Sequence, residues 1–180
     1  MYVLSQILVA ISDLFCILSM MSKNKKKVVF FLILSTIMFA SHYMCLGGWT
    51  GAAIALVEIV FLMALYLLET YKKTQYNVLL SITTIILTIV LSIVTWGGWI
   101  SILPMVAMVI YLLGLIFKNV IIVKSCTFIR LALNGLYMLM LKSYIGAGLT
   151  LVILAFTIYG IVVDYKSKEK MIKENVWYMM

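Results

Sequence analysis

Residues 28–68 read VVFFLILSTIMFASHYMCLGGWTGAAIALVEIVFLMALYLL, two apolar runs interrupted at Leu46 to Thr50, where Gly47 and Gly48 precede Trp49. Each run is close to the ~20 residues that a helix needs to cross a bilayer core. Two adjacent glycines permit a tight reversal, and an indole suits the headgroup boundary. The stretch therefore predicts a helical hairpin across a membrane. The same grammar fills the chain, with apolar runs at Tyr2 to Met21, Val28 to Leu46, Trp49 to Leu68, Val78 to Thr95, Ile100 to Phe117, Val120 to Leu141 and Tyr144 to Val163. A second Gly-Gly-Trp turn lies in Thr95 to Ile100. The expected fold class is all-α, a polytopic membrane protein with seven transmembrane helices and loops too short to hold a soluble domain.

Composition agrees. Of 180 residues 66% are hydrophobic and one is proline, and the mean hydropathy is +1.19, which leaves too few polar residues to cover a water-soluble core. The net charge of +8 comes from lysines beside the apolar runs, where they set orientation and meet anionic headgroups. No basic helix or stacking platform stands outside the runs to take nucleic acid. The first run has no positive leader, carries Asp13 and shows no small-residue cleavage pattern before Lys23, so it reads as a retained span and not a signal peptide. Cys16, Cys45 and Cys126 are odd in number and far apart, which predicts packing residues and neither disulfides nor a Cys-x-x-Cys site.

The lysines give an orientation. With the loop Ser22 to Lys27 in the cytoplasm, the same side collects Lys72, Lys73, Lys118, Lys124, Lys166, Lys168, Lys170 and Lys173, twelve of the fourteen basic residues. The other side holds Lys142, and Arg130 lies inside the sixth run. By the positive-inside rule the N-terminus is outside and the C-terminus cytoplasmic. The tail Tyr165 to Met180 mixes lysines with Trp177, Tyr178, Met179 and Met180; it either extends the last helix and lays its apolar end on the inner leaflet, or frays.

An ungapped shift of 95 residues lays spans one to three on spans five to seven. It places Lys23 and Asn24 on Lys118 and Asn119, Trp49 on Tyr144, Gly51 and Ala52 on Gly146 and Ala147, Leu56 and Val57 on Leu151 and Val152, Phe61 on Phe156, and Glu69 on the acidic Asp164. A shift of 50 also overlays the two Gly-Gly-Trp turns, a competing two-helix repeat that finds little else. Three spans per unit with one span between them keep the two units parallel, related by an axis along the membrane normal. The expected organisation is a first three-helix repeat at 1–69, a linker helix at 70–95, a second repeat at 96–164 and a cytoplasmic basic and aromatic tail at 165–180.

This three-plus-one-plus-three layout resembles the SWEET sugar transporters and their PQ-loop relatives, including the nicotinamide riboside carriers of the PnuC type. Over most of its length the chain is more similar to the YgjV-like bacterial inner-membrane family, on the residues His42-Tyr43-Met44-Cys45-Leu46-Gly47-Gly48 with Gly51-Ala52, Ile102-Leu103-Pro104 at the start of span five, and the Ser143-Tyr144-Ile145-Gly146 turn. Members of that family often carry an asparagine and an arginine on span three, where this chain has Val57 and Val60 with Glu58 between them. The resemblance implies a bacterial inner (plasma) membrane location and a SWEET-like fold, and no particular activity.

Three ionisable residues fall near the middle of their spans: Asp13, Glu58 and Arg130. Such groups cost at least ~2.5 to 3.5 kcal/mol at mid-bilayer, so they face the bundle interior, where they pair or line a wet cavity. Arg130 can pair with Glu58 or Asp13 purely to fix packing, or the three can bind and couple a solute. Asn134 shares the face of Arg130 one helical turn on. The shift of 95 lays Arg130 on Ser35 and Asn134 on Phe39, so any such site is asymmetric. Asp13, Glu58, Arg130 and Asn134 are the candidate substrate-binding or coupling residues.

His42, the sole histidine, repeats onto Tyr137, and the pair is a candidate outer gate. With no second ligand at helical spacing, His42 does not suggest a metal site. Tyr43, Trp49, Trp96, Trp99 and Tyr144 read as an aromatic belt. Pro104 breaks the hydrogen-bond ladder early in span five and is a candidate hinge. Serines such as Ser12, Ser35 and Ser41 are expected to bond back to their own helices. No Ser/His/Asp set, His-Glu-x-x-His or phosphate loop is present, so no enzyme activity, cofactor or metal is expected. The reading is a small-solute transporter or facilitator working by alternating access, with a pocket near the midplane between two three-helix units; the alternative is a non-transporting scaffold or accessory subunit. Its partners are then the lipid bilayer, an unknown small-molecule substrate, and further copies of the chain if it forms a homo-oligomer.

Overall fold

The computed structural model describes residues 1–21, 25–71, 73–117 and 120–177. Lys23, Asn24, Lys72, Lys118, Asn119 and Tyr178 to Met180 lie outside them, as do the side chains of Lys25, Lys26, Glu69, Asp164, Lys168, Lys170, Lys173 and Trp177. The described residues hold seven α-helices and no strand: α1 (Tyr2–Met21), α2 (Lys25–Cys45), α3 (Trp49–Thr70), α4 (Asn77–Val94), α5 (Ile102–Ile116), α6 (Val120–Met140) and α7 (Tyr144–Trp177). Short 3₁₀ turns at Thr74–Tyr76 and Trp99–Ser101 lead into α4 and α5. Helices are what apolar runs must form in lipid, where backbone groups have no water to bond. Among the described residues six segments are long and apolar enough to cross a bilayer, and α2 has a shorter apolar stretch at Val29–Cys45. Large apolar side chains such as Leu79, Ile86, Val94, Leu151, Phe156 and Tyr159 stand on the outer surface. In water such faces would aggregate; in a membrane they are the solvent-facing side. The fold is that of a polytopic membrane protein.

Each helix packs on its successor, from α1 on α2 through α6 on α7. Two further contacts, α1 with α7 and α3 with α5, close a ring of six, with α4 lying across α3 and α5. The buried face of α4 is Ser81, Thr84, Thr88 and Ser92. Thr84, Thr88 and Ser92 each donate to the carbonyl four residues back at 2.7 to 2.8 Å, so these small side chains satisfy themselves and let α4 approach its neighbours closely. The connections α2–α3, α4–α5 and α6–α7 share one end of the bundle, called here the turn end. The other is the lysine end.

The α2–α3 and α6–α7 turns have the same backbone. Gly48 N donates to Tyr43 O at 2.9 Å and Gly47 N to Met44 O at 3.2 Å; 95 residues on, Ser143 N donates to Met138 O at 2.8 Å and Lys142 N to Leu139 O at 3.0 Å. Both are helix C-caps of the Schellman type, whose closing residue must be left-handed. Gly47 takes φ 73° freely, whereas Lys142 is forced to φ 60°. A side chain there costs ~1 kcal/mol relative to glycine. Lys142→Gly is therefore expected to raise stability by about 1 kcal/mol in thermal unfolding in detergent, and Gly47→Ala to lower it by a similar amount. Equal melting temperatures for Lys142→Gly and wild type would refute this account of the turn.

Candidate functional site

A cavity of about 270 Å³ lies at mid-bundle and takes lining residues from α1, α2, α3, α5, α6 and α7. The lining comes largely in pairs 95 residues apart: Asp13 and Met108, Cys16 and Tyr111, Leu32 and Thr127, Ser35 and Arg130, Thr36 and Leu131, Phe39 and Asn134, Tyr43 and Met138, Ala55 and Thr150, Glu58 and Ile153. All four candidate binding residues, Asp13, Glu58, Arg130 and Asn134, are in this wall.

Arg130 pairs with Glu58 and not with Asp13. Its Nη2 donates to both Oε1 and Oε2 of Glu58 at 2.6 Å, across the gap between α6 and α3. The guanidinium carbon sits 4.2 Å from the centroid of the Tyr111 ring on α5, adding a cation–π contact. The pair is largely buried, with side-chain exposures of 19% for Arg130 and 10% for Glu58. Asp13 is 3% exposed, and its Oδ2 has no hydrogen-bond partner among the described residues. Tyr43 Oη, also on the cavity wall, is buried and unpartnered in the same sense.

The turn end of the cavity is closed. Val9, Tyr43, Ala52, Tyr137, Met138 and Ala147 form one buried cluster with Phe39, Ile100, Leu103 and Leu141 against it. Tyr43 and Tyr137 meet ring to ring at 5.3 Å, and Gly51 N donates to Tyr137 Oη at 3.3 Å. The helices can come this close because residues 51 and 146 are glycines. A Cβ on Gly51 would stand 2.7 Å from Tyr137 Cε1, and one on Gly146 would stand 2.9 Å from Met138 Sδ and 3.0 Å from Val9 Cγ2. Cavity residues toward the lysine end, Cys16, Leu32, Leu115, Val123 and Thr127, are half-exposed. On that side Leu32, Tyr111 and Leu115 of the wall pack against a second buried cluster, Val29, Ile54, Phe61, Leu62, Met108 and Leu112.

Tyr137, one expected gate residue, lies in this closing layer. His42, the other, is fully buried between α1 and α2: its Nδ1 is 2.8 Å from Ser5 O, and it lies against Tyr43 with ring centroids 5.3 Å apart. It ties two helices together beside the layer and is not part of the cavity wall. Pro104 lines the cavity but falls in the first turn of α5, where helix N–H groups lack partners in any case. It interrupts no ladder bond, so a hinge there would act at the junction of the 3₁₀ turn and α5. Ser12 departs from expectation, since its Oγ donates across to Ser35 O on α2 at 2.8 Å; Ser41 does bond back, to Ile37 O at 3.0 Å. The tyrosines missed by sequence reasoning are Tyr43, taken for a belt residue, and Tyr111, whose spacing to Cys16 is the only hint of its place. The three cysteines are free, and among the described residues no three His, Cys, Asp or Glu side chains gather.

A family model for bacterial inner membrane proteins of the YgjV type matches residues 3–168. The chain belongs to that family. No curated protein and no solved structure matches it. The family description places YgjV-type proteins in the bacterial inner membrane, in keeping with the apolar helices of this member, and it names no solute.

Proposed function

We propose that this YgjV-family protein is a small-solute transporter or facilitator that works by alternating access, with seven spans arranged three plus one plus three and the solute held in the mid-bundle cavity. The observation that carries this reading is the cavity itself, walled largely by residues 95 apart and shut at the turn end by an aromatic layer; access from the lysine end is part of the proposal. Helix contacts support the repeat: α3 with α5 and α1 with α7 exchange when residue numbers shift by 95, as do the two Schellman turns. At the turn end Thr50 Oγ1 donates to Ser101 Oγ at 2.9 Å, joining α3 to the start of α5, and Ser143 Oγ to Gln6 Oε1 at 3.4 Å, joining the start of α7 to α1; Ser101 and Gln6 are 95 residues apart, but Thr50 and Ser143 are not equivalent. Two units that meet at such repeated contacts can rock about the site between them. By the positive-inside rule the lysine end is cytoplasmic, with the N-terminus outside and the C-terminus inside. SWEET-like topology follows from the same repeat. No catalytic role is assigned to any residue, and the partners are lipid and solute.

The Glu58–Arg130 bridge favours a second reading, because one ion pair joins the two units and a scaffold would need such a fastening. Movement of solute separates the two. Proteoliposomes loaded with a mixture of sugars, nucleosides, vitamins, organic acids and amines should lose at least one component faster than protein-free vesicles, read by mass spectrometry of what is retained. Equal retention of every component would leave the scaffold.

A further inference from the structure

The charges on the cavity wall do not cancel. Arg130 engages both oxygens of Glu58 at 2.6 Å through a single nitrogen, Nη2, and one face of its guanidinium lies 4.2 Å from the Tyr111 ring centroid. That pair is neutral as a unit. A substrate carboxylate or phosphate would bring a third acidic group into an enclosure that already holds Glu58 and Asp13 against one guanidinium. Asp13 has no such partner: Oδ2 is buried and unbonded among the described residues, and the residue lines the cavity. A carboxylate left alone in a low-dielectric site costs several kcal/mol, which a cation or hydrogen-bond donor offsets.

We propose that the cavity takes a small organic cation, whose ammonium or amidinium N–H group sits on the Asp13 carboxylate while its apolar part lies against apolar side chains of the wall such as Met108 and Phe39. The rest of the wall fits that ligand. The position equivalent to Asp13 is Met108, and the position equivalent to Tyr43 is Met138, so the first unit is acidic and polar where the second is apolar. Phe39 adds an aromatic face, and Tyr43, another wall residue, carries a buried Oη without a partner among the described residues. An acidic group and apolar surface in one cavity orient an amphiphilic solute. The size limits it: about 270 Å³ is near the low end of the ~300–1,000 Å³ range of ligand pockets.

This assignment rests on the cavity being a solute site, and its test uses equilibrium binding so that it can fail separately from transport. Two matched series serve as probes: benzylamine, benzyl alcohol and benzoate, and isoamylamine, isoamyl alcohol and isovalerate. Melting temperature of the purified full chain in detergent is measured with each, for the wild type and for Asp13→Asn. Both amines should raise the wild-type melting temperature and the alcohols and carboxylates should not. Asp13→Asn, nearly isosteric and relieved of a lone charge, should melt no lower than wild type without ligand and lose the response to amines. The proposal is overturned if neither amine stabilises the wild type, if the alcohols or acids stabilise it as well as the amines, or if amines stabilise Asp13→Asn equally. Should Asp13→Asn not fold, the wild-type aspartate is probed through Cys16, which lines the cavity near Asp13. In a Cys45→Ser, Cys126→Ser background, amines should slow alkylation of Cys16 and benzoate should not; equal rates with both overturn the proposal. A protein that binds amines yet releases no loaded solute would keep this site and lose the transporter reading.

Discussion

Arg130→Ala is expected to destabilise the protein by about 3 kcal/mol or more, because it strands the buried Glu58 carboxylate. The loss exceeds that of one hydrogen bond for two reasons visible in the cavity. Glu58 accepts from Arg130 through both oxygens, so its charge loses its counter-ion and two bonds together, and Asp13 then faces a second uncompensated carboxylate across the same space. The double variant Arg130→Ala, Glu58→Ala should recover most of the deficit, since it removes the stranded charge along with its partner. Arg130→Lys should recover only part of it, because an ammonium keeps the charge without the planar face that covers Tyr111. Thermal unfolding in detergent reads all three. A double variant no more stable than Arg130→Ala would show that the ion pair is not what holds α3 to α6.

Much of the fold could be read from sequence because lipid leaves an apolar run little choice beyond a helix. α1 and the start of α7 begin where the apolar runs begin. The departures have local causes: α5 starts at Ile102 and not at Ile100 because Trp99–Ser101 make a 3₁₀ turn, α2 reaches back to Lys25 because lysines continue a helix readily, and α7 runs on to Trp177 because leaving the apolar core does not itself stop a helix. That continuation matches the first of the two tail readings as far as the backbone goes. The site divides along similar lines. That Asp13, Glu58 and Arg130 face the bundle interior could be read from depth, since ionisable groups at mid-span must turn inward, and the place of Asn134 from its sharing a helix face with Arg130. Which carboxylate Arg130 would take could not, because Asp13 and Glu58 lie at similar depth and helix rotation decides between them. Tyr43 was hidden by its position near a helix end, where the same side chain serves equally as a headgroup anchor, and His42 by a hydrogen bond to a backbone carbonyl that no side-chain pattern announces.

The closing layer makes the remaining prediction, a change in which end of the bundle can reach the cavity. With Cys16, Cys45 and Cys126 replaced, a cysteine at Asn134 should react with a membrane-impermeant maleimide in inside-out vesicles and resist it in spheroplasts, if solute enters from the lysine end as proposed while Tyr43 and Tyr137 pack together across the other. Adding Tyr137→Ala should make the same cysteine react from both sides. The tyrosine ring is buried in the layer, so its removal opens a gap of ring size between α6 and the glycine-narrowed start of α3, at a cost of roughly 3–5 kcal/mol by analogy with other buried aromatics. Tyr137→Phe is the control: it loses only the bond from Gly51 N to Oη, keeps the ring, and should stay shut in spheroplasts. Reaction in spheroplasts alone would reverse the orientation drawn from the lysines. Failure of the Tyr137→Ala protein to react from either side, while still folded, would mean that no water reaches Arg130 and Asn134 even with the layer breached, and a dry bundle with a buried ion pair is a scaffold.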